Sequence, residues 1–216
     1  FEYYHYHSDL FKQDGSRVSP SSDRFLNYFL SFTMDTYDRR YFPTRGAQVR
    51  LHGILHTDNG IRYDDDVPFG EVSLHAETAV RLAPKLYMLP SLKGRMLFGS
   101  NIPSIYQNCA GGPFDGNYLP WQMAWETAQH VHQLENNAVA ARLAMRYRVK
   151  GKFYLTALGE YGKEAHEIAH ILRGNDLWGC ALRASYDFVL GPISLQANYS
   201  NLRKNVGFYL NAGFYF

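Results

Sequence analysis

Apolar and polar positions alternate along most of this chain. At the C-terminal end Val206, Phe208, Leu210, Ala212, Phe214 and Phe216 fall on one side, and Gly207, Tyr209, Asn211, Gly213 and Tyr215 on the other. A two-residue period sustained this long predicts an extended strand. The pattern recurs upstream. Ile193, Leu195, Ala197 and Tyr199 oppose Ser194, Gln196, Asn198 and Ser200, and the row from Trp178 through Cys180, Leu182, Ala184, Tyr186 and Phe188 to Leu190 opposes Gly179, Ala181, Arg183, Ser185, Asp187 and Val189. Val139, Ala141, Leu143, Met145, Tyr147 and Val149 oppose Ala140, Arg142, Ala144, Arg146 and Arg148. Val72, Leu74, Ala76, Thr78, Val80 and Leu82 oppose Ser73, His75, Glu77, Ala79 and Arg81. Val49, Leu51, Gly53 and Leu55 oppose Gln48, Arg50, His52 and His56. Weaker versions over 26–34, 86–98 and 153–161, with the opening segment 1–10, bring the expectation to ten strands.

Charged side chains are absent from the apolar face of the six fully alternating segments. A soluble sandwich also alternates, but its strands run to about 5–6 residues, whereas a tilted bilayer crossing takes about 9–11. The connections decide between them. Those over 12–23, 57–69, 100–137 and 163–176 are long, with a shorter one at 201–205; those at 38–46, 83–85, 150–151 and 191–192 are short. Strict alternation of tight turns and longer loops predicts an all-β antiparallel transmembrane β-barrel of the outer-membrane kind, closed so that backbone polar groups are satisfied in lipid. By the same rule the short turns and the C-terminus face the periplasm and the long loops face outward.

Composition sharpens this reading without redirecting it. The 216 residues carry 17 Tyr, 14 Phe and 3 Trp, an aromatic load that argues for an ordered chain. A formal charge of +2 argues against a strong electrostatic grip on nucleic acid. Two cysteines exclude a disulfide framework, and Cys109 (outer loop) and Cys180 (apolar face) fall on diverging positions. The absence of any run of about 18 apolar residues excludes a spanning helix. The opening Phe1-Glu2-Tyr3-Tyr4-His5 is strand-like rather than a basic-then-apolar leader.

The stretch Phe32-Thr33-Met34-Asp35-Thr36, followed by Asp38-Arg39-Arg40-Tyr41-Phe42-Pro43-Thr44-Arg45-Gly46, resembles a strand–turn–strand of bacterial surface-antigen barrels, the outer-membrane insertases and translocases with sixteen strands. Read unaided, Pro43 fixes the turn's backbone and Gly46 permits positive φ before the next strand. The last three strands are similar to that family's ending. The resemblance implies that the ten strands match the last ten of sixteen, so that 1–216 is expected to be a barrel domain incomplete at its N-terminus, with a complete ten-stranded barrel as the alternative. Insertases of the family carry a Val-Arg-Gly-aromatic motif on the long loop. Here Gly111 and Gly112 fit and the arginine is missing, while Leu119-Pro120-Trp121-Gln122 looks more like the barrels fused to patatin-like phospholipases. The resemblance therefore implies an N-terminal lipid acyl hydrolase whose Gly-x-Ser-x-Gly nucleophile lies outside these residues.

Four further features bear on function. His166-Glu167-Ile168-Ala169-His170 matches the zinc-protease pattern, but neither His nor Glu follows it to supply a third ligand, and a short amphipathic loop helix is expected instead. Arg50, His75, Glu77, Arg81, Arg142, Arg146, Arg148, Arg183 and Asp187 share the polar face. They suit either a polar passage or an ion-pair network that fills the lumen and holds the long loop inside it. Asp64, Asp65 and Asp66 read as a solvated acidic run, with calcium as the alternative. Trp121 and Trp125, with Tyr118, either line a lipid route or pack the loop against the wall.

Tyr209, Phe214 and Phe216 resemble the C-terminal signal read by the barrel-assembly machinery, with Asn211 in place of its usual glycine. The expectation for function is a barrel that anchors or exports an attached passenger, without cofactor, metal or catalysis by these residues. An insertase acting through a lateral seam and a passive pore are the alternatives. The implied partners are outer-membrane lipid, the assembly machinery and the passenger in the same chain; a homodimer is left open and nucleic acid is not expected.

Overall fold

The structure, a computed structural model, describes residues 2–8, 21–62, 68–100, 102–112, 121–128, 130–202 and 204–213, with side chains from residue 26 onward except at 105. Ten strands form one sheet: β1 (Glu2–Ser8), β2 (Ser21–Asp35), β3 (Gly46–Thr57), β4 (Phe69–Ala83), β5 (Leu86–Phe98), β8 (Asn137–Lys150), β9 (Phe153–Ala165), β10 (Asn175–Phe188), β11 (Gly191–Ser200) and β12 (Val206–Ala212). Each pairs antiparallel with the next in that order. Two short strands, β6 (Cys109–Ala110) and β7 (His132–Gln133), pair within the long β5–β8 connection. At two residues each they are too short to leave a periodic trace. Among the described residues no ladder joins β1 to β12.

The alternation sorts onto two faces as the side-chain period demands. The apolar row is outward: Leu30 is 80% exposed, Leu182 68%, Phe208 68% and Leu210 70%. The polar row is inward and buried, including Glu71, Lys93, Arg95, Arg146, Glu160, Gln196 and Asn198. This distribution is the reverse of a soluble sandwich, in which the apolar faces meet. Exposed apolar bands of this extent on a chain with a buried polar interior belong against hydrocarbon.

Several boundaries move. The β10–β11 turn is Val189-Leu190 rather than 191–192: Gly191 and Pro192 already pair with Phe188 and Asp187. Gly191 adopts φ +103, and Pro192, with no N–H to lose, offers only its carbonyl, which accepts from Gly213 N at 3.1 Å. The 163–176 connection shrinks, because β9 runs to Ala165 and β10 starts at Asn175. Lys163 and Asp176 are ladder partners joined at 2.8 Å. Residues 21–23 belong to β2, paired with β1. Phe1, Leu10, Asp64, Asp65, Asp66, Tyr118, Leu119, Pro120, Phe214, Tyr215 and Phe216 lie outside the described residues.

Candidate functional site

The long β5–β8 connection turns onto the sheet's inner face. Its base is tied by Arg95 of β5, which pairs with Glu71 and donates to Tyr106 O at 2.7 Å and Asn108 Oδ1 at 2.9 Å. Asn108 returns donors to Arg95 O and Glu135 O. Gly111 and Gly112 let the loop fold back. A Cβ at Gly111 would sit 2.2 Å from His130 O, and both glycines adopt positive φ. Gly112 N then donates to Ala128 O at 2.7 Å, and Trp125 N to Gly112 O at 2.9 Å.

That fold delivers residues 124–127 to five strands of the wall. Lys93 Nζ of β5 donates to Ala124 O at 3.1 Å. Glu126 is ion-paired with Arg142 of β8 and Arg183 of β10, and its carbonyl accepts from Gln196 and Asn198 of β11. Thr127 N donates to Glu160 Oε2 of β9 at 3.0 Å. Trp125, 1% exposed, packs in a cluster with Met123, Leu134, Ala138, Ala140 and Leu177. Gly179 makes room for this seat: a Cβ there would lie 2.1 Å from Thr127 Oγ1. Trp121 is half-buried, stacked on Tyr106 and beneath the Arg95 guanidinium.

From the short-turn side the 36–45 turn also folds inward. Phe42 stacks on Tyr154 at 4.4 Å and Arg146 donates to Pro43 O. Gly46 has φ +104, and a Cβ there would strike Thr36 O at 2.3 Å. Tyr37 Oη donates to Glu77 Oε1 at 2.8 Å, and Glu77 pairs with Arg142. One polar chain, Tyr37–Glu77–Arg142–Glu126–Arg183, thus links the turn to the loop tip. Burial pushes the Tyr37 phenol up to about 12 against the lowering field of Arg142, so it is a neutral donor at physiological pH. A cavity of about 590 Å³ lies between the turn and the tip, and a second of about 350 Å³ is lined by Arg50, His52, His75 and Trp121.

Asp38 staples the turn by accepting from Thr44 N at 2.7 Å, Thr44 Oγ1 at 2.6 Å and Arg45 N at 3.2 Å. Slight desolvation raises its carboxyl, but these donors outweigh that and hold it at about 2. A carboxylate lowered this way supports the fold fully above the ordinary Asp range near ~3.9 and loses that support only as pH falls through the depressed value. The turn is therefore expected to hold at pH 4. A carboxyl-carbon NMR titration checks this, and an Asp38 midpoint near 4 would contradict it.

The other predicted positions scatter. Arg50 contacts His75 Nδ1 at 2.9 Å on the inner face of β3 and β4, away from the loop tip. Arg81 is exposed and bonds the carbonyls of its own turn, Ala83 and Pro84. Arg148 and Asp187 sit at strand ends, where their backbone N–H groups bond Lys85 O and Lys152 O. Arg39 is exposed and Tyr41 half-buried, and both line the larger cavity, as does Tyr209.

His166, Glu167 and His170 are exposed and do not share a helix face. A six-residue 3-10 turn begins at Ile168 with Glu167 extended, His166 lies 3.6 Å from Glu135, and His170 lies 3.4 Å from Glu167. Among the described residues no three metal-ligating side chains are gathered. Cys109 is buried in the loop and Cys180 exposed on the outer face, both as free thiols.

Sequence reasoning missed Glu126, Glu71, Lys93, Arg95 and Glu160. The last four lie on the inward rows of β4, β5 and β9, so extending the alternation of those strands would have found them. Glu126 lies on an aperiodic loop, and its only signal is an isolated acid directly after an apolar run.

An antiparallel meander with apolar residues outward and a filled polar interior is the wall of an outer-membrane type of β-barrel. Residues 1–216 match the family model of the OMP85 superfamily, and the chain belongs to that superfamily. Membership implies a β-barrel in the bacterial outer membrane. A search of curated proteins finds no match to the chain.

Proposed function

We propose that this barrel anchors or exports a passenger attached at its N-terminal side, a patatin-like lipid acyl hydrolase, with short turns toward the periplasm and long loops outside. The observation that carries the reading is the sign of the loop tip. Where the loop of surface-antigen insertases carries an arginine that reaches into the lumen beside its glycine, this loop has none before Gly111, and its tip presents Glu126 to two wall arginines. A tip bonded to β5, β8, β9, β10 and β11 suits a static plug better than a segment that moves during client insertion. Outer-membrane lipid and the assembly machinery, reading the Tyr209 end, are the partners this role needs.

The test takes the complete reading frame in its native outer membrane. An upstream Gly-x-Ser-x-Gly and phospholipid ester hydrolysis, lost when that serine is replaced by alanine, are expected. Repeated small αβ units upstream, with client insertion into vesicles, would replace this reading with the insertase. A bare leader and large steady currents would replace it with the pore.

A further inference from the structure

Three wall guanidiniums on the inner face have carboxylate partners: Arg95 with Glu71, Arg142 with Glu77 and Glu126, and Arg183 with Glu126. Arg146 is different. It is 5% exposed, yet among the described residues no carboxylate pairs with it. Its neighbours are the rings of Phe42, Tyr87 and Tyr154 at 5.5–5.8 Å and the neutral carbonyl of Pro43. Asp38 of the same turn acts on it only at a distance, its oxygens taken by Thr44 and Arg45, and the Arg146 Nε, like those of Arg95 and Arg142, has no hydrogen-bond partner among the described residues. Ring faces offset part of the cost of burying a cation, but buried charges are as a rule paired. A carbonyl is also a weaker acceptor for a guanidinium than a charged oxyanion, which takes two parallel N–H bonds.

Arg146 lines the 590 Å³ cavity, whose walls carry five arginines against three carboxylates, Asp35, Glu77 and Glu126. None of the three serves Arg146. Glu77 and Glu126 are engaged by Arg142 and Arg183, and Asp35 accepts from Tyr37 N at 2.9 Å and Gln48 Nε2 at 3.1 Å. The inward-folded turn covers this end of the cavity, and its Pro43 carbonyl occupies the acceptor position on the guanidinium.

We propose that Arg146 anchors a binding site for a phosphate group, entered from the short-turn side, and that Phe42-Pro43 is an internal competitor holding the place until a phosphate displaces it. The phosphate belongs either to a soluble ester or to a lipid headgroup. This inference does not depend on which passenger the barrel carries.

The full-length protein in uncharged detergent is titrated calorimetrically with inorganic pyrophosphate and, separately, with lysophosphatidic acid. Saturable binding of at least one probe is expected. Binding of pyrophosphate would assign the soluble source, and binding of lysophosphatidic acid alone the lipid source. Arg146→Gln should weaken that binding at least about tenfold, as loss of a charge-assisted bidentate contact does. Arg81→Gln, an exposed arginine on the neighbouring turn, should leave it unchanged. Phe42→Ala removes the stacked competitor and should tighten binding several-fold, which keeps the test decisive if Arg146→Gln does not fold. Failure of both probes to saturate, equal affinity in folded Arg146→Gln, or an unaltered affinity in Phe42→Ala would overturn the proposal.

Discussion

Replacing Arg142 by leucine is expected to free the long loop and to lower the stability of the barrel by about 3–5 kcal/mol, the range found when one partner of a buried ion pair is removed. Arg142 is the hinge of the polar chain, because it alone among the described residues pairs with both Glu77 from the wall and Glu126 from the loop. Its side chain is 11% exposed, and those of Glu77 and Glu126 are 18% and 5%. Without the guanidinium, Glu77 keeps the Tyr37 hydroxyl and Glu126 keeps Arg183, and Glu77 has no other cation among the described residues. The measurements are the denaturant midpoint, protease cleavage within the loop, and single-channel current, which should rise from near zero to large and steady. Arg142→Lys, which keeps the charge and loses the fork, should fall between. The combination Arg142→Leu, Glu77→Gln removes the stranded carboxylate, leaves the Glu126–Arg183 pair intact and should recover much of the loss. If Arg142→Leu alone leaves the midpoint and the current unchanged, the loop is not held by this chain.

What could be read from the sequence is what a two-residue period encodes. The period puts Phe208 and Leu210 on the lipid side and Arg142, Arg146 and Arg183 in the interior, because a strand offers each side chain only two directions. The turn at Asp38–Gly46 was legible only in its backbone. Pro43 and Gly46 announce a tight turn, but nothing local says that Phe42 will lie on Tyr154. That contact depends on strands more than a hundred residues apart in sequence being brought across the sheet. Glu126 was illegible for a related reason: a loop without periodicity carries no facing, and its position follows from where Gly111 and Gly112 reverse the chain. The histidine pair at 166 and 170 shows the opposite failure. Its spacing means something on an α-helix, and the segment instead forms a 3-10 turn that starts too late to include His166.

Trp125→Ala should be nearly as damaging as loss of Arg142, by a route that involves no charge. The indole fills a socket whose wall side is built from small residues, Ala138 and Ala140, with Met123, Leu134 and Leu177 closing it. Removing a fully buried tryptophan costs about 3–5 kcal/mol where the surroundings cannot collapse, and strands locked in a sheet collapse poorly. The lower part of that range is expected, since the buried indole Nε1 has no hydrogen-bond partner among the described residues and its removal returns part of that cost. Trp125→Phe should lose less. The stronger test is the pair of variants together. Trp125 and Glu126 adjoin in the loop, and once either hold is broken the loop can leave the wall as a unit. The second substitution then has little left to remove. The Trp125→Ala, Arg142→Leu double variant should therefore be destabilised by less than the sum of the two, with a coupling of about 1–3 kcal/mol, as for residues acting through one shared element. Additivity within about 0.5 kcal/mol would mean that the apolar seat and the ion-paired tip are separate features, and that the loop is a filling rather than a single latch.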